Sequence, residues 1–200
     1  MQQREKRNSK LDRTKHERRE MNVVICLLRG VNVGGHNKCA MQEVRALCEA
    51  LKLENPQTYV QSGNAVFRTK EANLERLAER FQSAFEKKFG FRSDVVLRTA
   101  ADMTAIVKRN PFPKRAEEEP GRLAVMFLAA KPAKGAEAAL ATLPRGREEM
   151  KLDGRELYIH FPEGMGQSKL PWSTLGQKLG TSGTARNWNT VTKLLEMAES

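Results

Sequence analysis

Aromatic residues are scarce in this chain: eight Phe, two Trp and two Tyr among 200 residues. Histidine and cysteine are scarcer still, with three of each. Cys26, Cys39 and Cys48 form an odd set without metal-ligand spacing. A disulfide framework is therefore excluded as the source of stability. His16, His36 and His160 are scattered along the chain, which argues against a zinc centre. No apolar run approaches the ~20 residues of a membrane span. The N-terminus has no apolar core of the kind a signal peptide carries. A cytoplasmic protein without a membrane partner is the expectation. Cys26 and Cys48 are expected to be small core residues, and Cys39 to sit in a loop, where a reactive thiol is the alternative.

What is abundant is positive charge, with a formal net charge of +11. Such a balance favours anionic partners and says nothing about fold. Part of the excess is local, because residues 1–20 hold eight Lys or Arg against four acids: Glu5, Asp12, Glu17 and Glu20. Leu11 is the one large aliphatic residue before Met21. A segment this polar buries too little apolar area to offset the entropy of ordering it. Residues 1–20 are expected to be a disordered basic tail or an extension upstream of a start at Met21. Nucleic-acid contact is the sharper alternative.

Periodicity organises the remainder. Val23 to Leu28 is a continuous apolar run, too short for an ordinary helix, and fits a doubly buried strand. A Gly-containing loop, Val31 to Lys38, leads to Met41, Val44, Leu47, Cys48 and Leu51 at helical spacing. Thr58 to Gln61 and Ala65 to Thr69 are expected strands around a Ser62-Gly63-Asn64 turn. Leu74, Leu77, Phe81, Ala84, Phe85 and Phe89 mark a helix stopped by Gly90. Asp94 to Arg98 is a further strand. A helix from Ala101 to Arg109 follows. This order is βαββαβ, the ferredoxin-like arrangement.

Asn110 to Gly121 is rich in proline and charge, and residues 111–121 are expected to form a linker. The second half repeats the grammar. Leu123 to Ala129 is an apolar strand and Ala136 to Leu143 a short helix. Glu148 to Leu152 and Glu156 to Phe161 form a hairpin around Asp153-Gly154. Leu170 to Leu179 is helical, Thr184 to Trp188 a short strand, and Thr190 to Ala198 a last helix capped by Asn189. The expected fold class is α+β. Two tandem ferredoxin-like halves, 21–110 and 122–200, pack against each other because each central strand is apolar on both faces.

Four stretches together resemble one family. They are Leu28-Arg29-Gly30-Val31-Asn32-Val33-Gly34-Gly35, Tyr59-Val60-Gln61-Ser62-Gly63-Asn64-Ala65-Val66-Phe67, Leu157-Tyr158-Ile159-His160-Phe161-Pro162-Glu163-Gly164 and Arg186-Asn187-Trp188-Asn189-Thr190-Val191-Thr192-Lys193-Leu194. They are similar to the bacterial domain of unknown function 1697, from Met21 to the C-terminus. The resemblance implies a cytoplasmic protein with ferredoxin-like substructure. It supplies no activity and no catalytic residues.

Candidate ligand-binding residues come from the residues themselves. Arg29, Asn32, Gly34 and Gly35 lie in a strand–loop–helix segment whose backbone N–H groups suit an anion. The same glycines equally suit a plain turn. The segment is neither a Walker loop nor a dinucleotide fingerprint, so no cofactor is expected. Gln61, Ser62 and Asn64 belong to the hairpin turn. Strands one and two run parallel in the ferredoxin-like order, so this turn emerges beside the first loop. Arg186, Asn187, Trp188, Asn189 and Lys193 form the densest polar–aromatic cluster. Arg186 is a candidate anion clamp and Trp188 a candidate stacking platform. The alternative is that Trp188 fills the core between the halves. Tyr158 and His160 share one strand face that is expected to meet solvent. His160 is a candidate general base, with no partner carboxylate identifiable from spacing. A loop from Gly164 to Lys169 is a weaker phosphate candidate. Recognition of RNA on a sheet face is disfavoured, because Asn64 and Val66 stand where stacking aromatics belong.

Three functions follow. One is a binding module for an anionic ligand, a phosphorylated metabolite or nucleic acid. The second is a metal-independent enzyme acting on a small anionic metabolite, with Arg29 and Arg186 as clamps and His160 or Tyr158 as acid or base. The third is a protein–protein interaction domain.

Overall fold

The computed structural model describes residues 21–144 and 146–200. The tail expected at residues 1–20 lies outside the described residues. Within them the chain is α+β, with two four-stranded antiparallel sheets and seven α-helices.

The first half runs β1 (Asn22–Leu28), α1 (Met41–Ala50), β2 (Glu54–Tyr59), β3 (Asn64–Thr69), α2 (Leu74–Phe89), β4 (Val95–Thr99) and α3 (Ala100–Lys108). Its sheet order is β2-β3-β1-β4. The second half runs β5 (Leu123–Leu128), α5 (Ala136–Ala141), β6 (Glu149–Asp153), β7 (Glu156–His160), α6 (Trp172–Leu179), β8 (Gly183–Asn187) and α7 (Trp188–Glu199). Its order is β6-β7-β5-β8, the same pattern. The connection between the halves is not a bare linker. It holds the helix α4 (Pro113–Glu118) and a 3₁₀ turn over Pro120–Arg122. Pro113 occupies the first helical position, where its missing N–H costs nothing.

Both central strands are buried on both faces, and alternation divides their side chains between separate cores. In β1, Val24, Cys26 and Leu28 join α1 and α2 in one outer cluster. In β5, Ala124, Met126 and Leu128 join α5 and α6 in the other. The intervening residues, Ile25 and Leu27 of β1 with Val125 and Phe127 of β5, meet in a middle cluster with α3 and α7. Each half thereby covers the inner sheet face of the other.

Several boundaries differ from the sequence expectation. The β2 strand begins at Glu54 rather than Thr58, despite Pro56, because it is an edge strand and proline is tolerated there. The turn shifts back and lengthens to Val60–Gly63, and Asn64 enters β3 fully buried. Gly63 is required at that turn, since it adopts φ +77° and a Cβ there would lie 2.5 Å from Val31 Cγ2. The N-cap of α7 is Asn187, not Asn189: its Oδ1 accepts from the Asn189 N–H at 2.9 Å. Among the described residues no helix is long and apolar enough to cross a membrane.

Candidate functional site

The expected ligand residues separate into two groups. The first is an exposed loop pair. Asn32 turns back with φ +53°. Its Nδ2 donates to the Cys39 carbonyl at 2.8 Å and to the Gln61 carbonyl at 2.7 Å. The β1–α1 loop and the β2–β3 turn thus meet at one edge of the molecule. Gly34 and Gly35 are exposed, both with positive φ. The Arg29 guanidinium is exposed and held 3.0 Å from Asp94 Oδ2.

The second group lies inside the molecule. Arg186 is 6% exposed, and its guanidinium is saturated by protein acceptors. Nε donates to Asn64 Oδ1 at 2.5 Å, Nη1 to Thr184 Oγ1 at 2.6 Å, and Nη2 to the Leu28 and Ser62 carbonyls at 2.8 and 3.0 Å. Burial draws its pKa down to about 10, so it remains charged at neutral pH. Trp188 is buried in the middle cluster, which leaves no face for stacking a ligand. Asn187 caps α7 and donates to the Gly121 carbonyl at 2.8 Å. Asn189 is exposed, and Lys193 is paired with Glu196 at 2.7 Å. Arg29 and Arg186 therefore do not converge as a clamp.

Arg186 has a counterpart that sequence reasoning missed. Arg98 pairs with Ile25 in β1, as Arg186 pairs with Val125 in β5. Arg98 Nη2 donates to the Leu128 carbonyl at 2.9 Å and the Arg155 carbonyl at 3.3 Å. Its Nε donates to Glu156 Oε1 at 2.8 Å. Glu156 opens β7 as Asn64 opens β3. Each half thus drives one arginine into the strand end and turn of the other. Such reciprocity is the mark of a twofold-like interface. Burial lowers the Arg98 pKa, and Glu156 opposes that shift.

A further expectation is corrected. Tyr158 and His160 do not face solvent, being 0% and 1% exposed. Sheet two buries the face they share, against the middle cluster and the inter-half connection. The Tyr158 hydroxyl donates to the Ile106 carbonyl at 2.8 Å. Burial, then Glu156 and Asp153, push its pKa up, which keeps the hydroxyl protonated. Cys39 lies in a loop as expected, and it is buried there, which raises its pKa to about 11 and disfavours the reactive alternative.

His160 is different from Tyr158. It sits in a cleft of about 460 Å³ that is also lined by Arg115, Glu119, Arg122, Arg147 and Glu149. Neither ring nitrogen has a hydrogen-bond partner among the described residues. Glu149 Oε1 lies 3.3 Å from Nδ1 and Glu119 Oε1 3.9 Å from Nε2, both short of hydrogen-bond geometry. Buried polar atoms are seldom left this way. Arg115 and Arg122 hold Glu119 at 2.9 and 2.7 Å. The Arg122 hydrogen bond, chiefly, keeps that carboxyl below its usual range. Arg147 reaches Glu163 at 3.2 Å.

Glu149 was missed as the partner of His160, although the hairpin held a signal for it. A two-residue loop pairing Asp153 with Glu156 carries the register back to Glu149 opposite His160. Arg115 and Glu119 carried no such signal, because they lie in the stretch expected to be a linker, and Arg122 directly follows it. Among the described residues, no group of three or more His, Cys, Asp or Glu is placed to hold a metal ion.

A family model described as protein of unknown function (DUF1697) matches residues 21–158. The chain belongs to that family. This DUF1697 chain is also similar to a solved structure, that of the conserved bacterial protein SP0830 from Streptococcus pneumoniae. The two share 24% sequence identity at a TM-score of 0.70, over 89% of this chain and 99% of the other. That likeness bears on the fold. No curated protein matches the DUF1697 chain.

Proposed function

We infer that the protein is a binding module for a small anionic ligand, held in the cleft over His160. The supporting observation is the imidazole itself, 1% exposed with both nitrogens unpaired at the floor of the cleft. Leaving such atoms unsatisfied costs ~1–3 kcal/mol each, and ligand oxygens recover it. The three guanidiniums of the cleft are matched by Glu119, Glu149 and Glu163. The imidazole nitrogens are left without a hydrogen bond, Glu149 and Glu119 lying 3.3 and 3.9 Å away outside bonding geometry, and an anion held by the guanidiniums reaches them. The side chains of Arg115, Arg122 and Arg147 are 41–80% exposed, so their ion pairs exchange at little cost.

Titration calorimetry with inorganic phosphate tests this. Saturable binding is expected, read as the heat of injection. Arg122→Ala is expected to weaken binding at least tenfold, about 1.4 kcal/mol. Phosphate binding that is absent, or unaffected by that change, overturns the reading. Loss of binding to short nucleic acids with rising salt, in a chain starting at Met21, separates a nucleic-acid ligand from a metabolite.

A second reading uses the same cleft. Glu149 beside His160 Nδ1 is the arrangement of a carboxylate-oriented base, which supports metal-independent acid–base chemistry on the bound anion. We further read each half as a ferredoxin-like unit. Its support is the βαββαβ order with strands arranged 2-3-1-4. A cytoplasmic setting fits three free cysteines.

A further inference from the structure

The His160 cleft has a neighbour. A cavity of about 490 Å³ adjoins it, and Arg147, Pro162 and Glu163 line both spaces. The chain itself divides them. β7 ends at His160, and the next residue, Phe161, lines the second cavity. Consecutive side chains of an extended strand point to opposite sides, so one step of backbone carries the surface from an imidazole to a phenyl ring.

The two spaces differ in chemistry. Charged side chains dominate the first. Phe161, Pro144, Pro162 and Pro171 give the second its apolar walls, and Gln167 and Lys169 stand on its rim. The apolar surface extends past Pro171 to Trp172, whose ring centroid lies 6.1 Å from that of Phe161. Trp172 is 38% exposed, one of three large apolar residues exposed among the described residues. Between the spaces stands the Arg147–Glu163 pair, with side chains 80% and 67% exposed. A pair so exposed contributes little and reopens easily. Ligand sites commonly combine apolar walls with a few convergent polar groups in this size range.

We propose that the two spaces form one site for an aryl anion: a phosphate or carboxylate carried on a flat apolar ring. The inference rests on the anion reading of the His160 cleft. The anionic group lies among Arg122, Arg115 and His160. The ring lies against Phe161 between the prolines. Arg147 turns from Glu163 to the anion as the ligand spans the boundary. The rigid prolines lose no rotamer freedom on contact, which favours a flat, stiff partner.

The test compares inorganic phosphate with phenyl phosphate by titration calorimetry on the full chain. Phenyl phosphate is expected to bind at least tenfold more tightly. Gln167→Trp, placing an indole into the apolar cavity, is expected to abolish that advantage. Arg122→Ala is expected to weaken both probes. Equal affinity for the two probes overturns this inference and leaves the anion site standing. Failure of both probes to bind ends both readings. Tight phenyl phosphate binding that survives Arg122→Ala means the cavity acts alone, and overturns the joined site. Should Gln167→Trp fail to fold, an intermolecular Overhauser contact between the phenyl probe and the Phe161 ring of the wild-type chain decides the matter, and its absence counts against the proposal.

Discussion

At the residue scale, Arg98 and Arg186 face the same problem with different answers. A buried guanidinium needs acceptors on all its N–H groups and a way to bear its charge. Arg98 has Glu156, with side chains 2% and 5% exposed. Arg186 relies on carbonyls, Thr184 and the neutral Asn64. Removing one partner of a buried pair leaves an uncompensated charge, at ~3–5 kcal/mol. Glu156→Gln is therefore expected to lower unfolding free energy by about that amount at pH 7. Chemical denaturation measures it, and a loss under 1 kcal/mol would be too small for this pairing. Cys39 supplies a pH dependence. Its pKa rises from 9.0 to about 11 on folding. The raised value means the folded chain keeps a proton that the unfolded chain releases. The contribution is complete below about pH 9 and is lost as pH rises towards about 11. Denaturation midpoints should fall across that window, and Cys39→Ala should flatten part of the slope. A midpoint indifferent to pH there contradicts the burial of the thiol.

At the element scale, strong periodicity was legible and boundary chemistry less so. The helix over Leu74–Phe89 follows from its apolar spacing, and Gly90 closes it in the left-handed conformation at φ +75°. The two continuous apolar strands follow from lacking any polar face. Prolines and charges over 111–121 suggested a linker, yet Arg115 bonds Glu119 one turn on, and Arg122 bonds it from the next turn. Those pairs are local, but their approach to Glu149 and His160 comes only when the segment folds back onto the second sheet, a tertiary effect that no local pattern announces. The candidate site was half legible for the same reason. His160 and Glu149 lie on one hairpin with a fixed register, whereas their basic partners come from the connection. Arg186 and Trp188 drew attention as a polar–aromatic cluster. That composition suits a ligand site and a fastening between halves alike, and burial distinguishes them.

At the scale of the whole molecule, the basic excess and the interior arginines have separate roles. The inner faces of both sheets close on each other around Ile25, Leu27, Val125 and Phe127, with Arg98 and Arg186 crossing at the strand ends. A sheet face hidden in this way is closed to stacked bases. Ligand chemistry is thereby left to the periphery of sheet two, where the connection between the halves lies over His160. The connection is what brings Arg115, Glu119 and Arg122 to the imidazole.

The chain has three histidines, which makes one measurement direct. Imidazole ¹⁵N resonances are followed while inorganic phosphate is added to the wild-type protein. The His160 nitrogens are expected to move saturably, with His36, exposed on the β1–α1 loop and outside the lining of the cleft, unmoved. Saturable binding that leaves the His160 resonances in place would contradict a ligand site in this cleft.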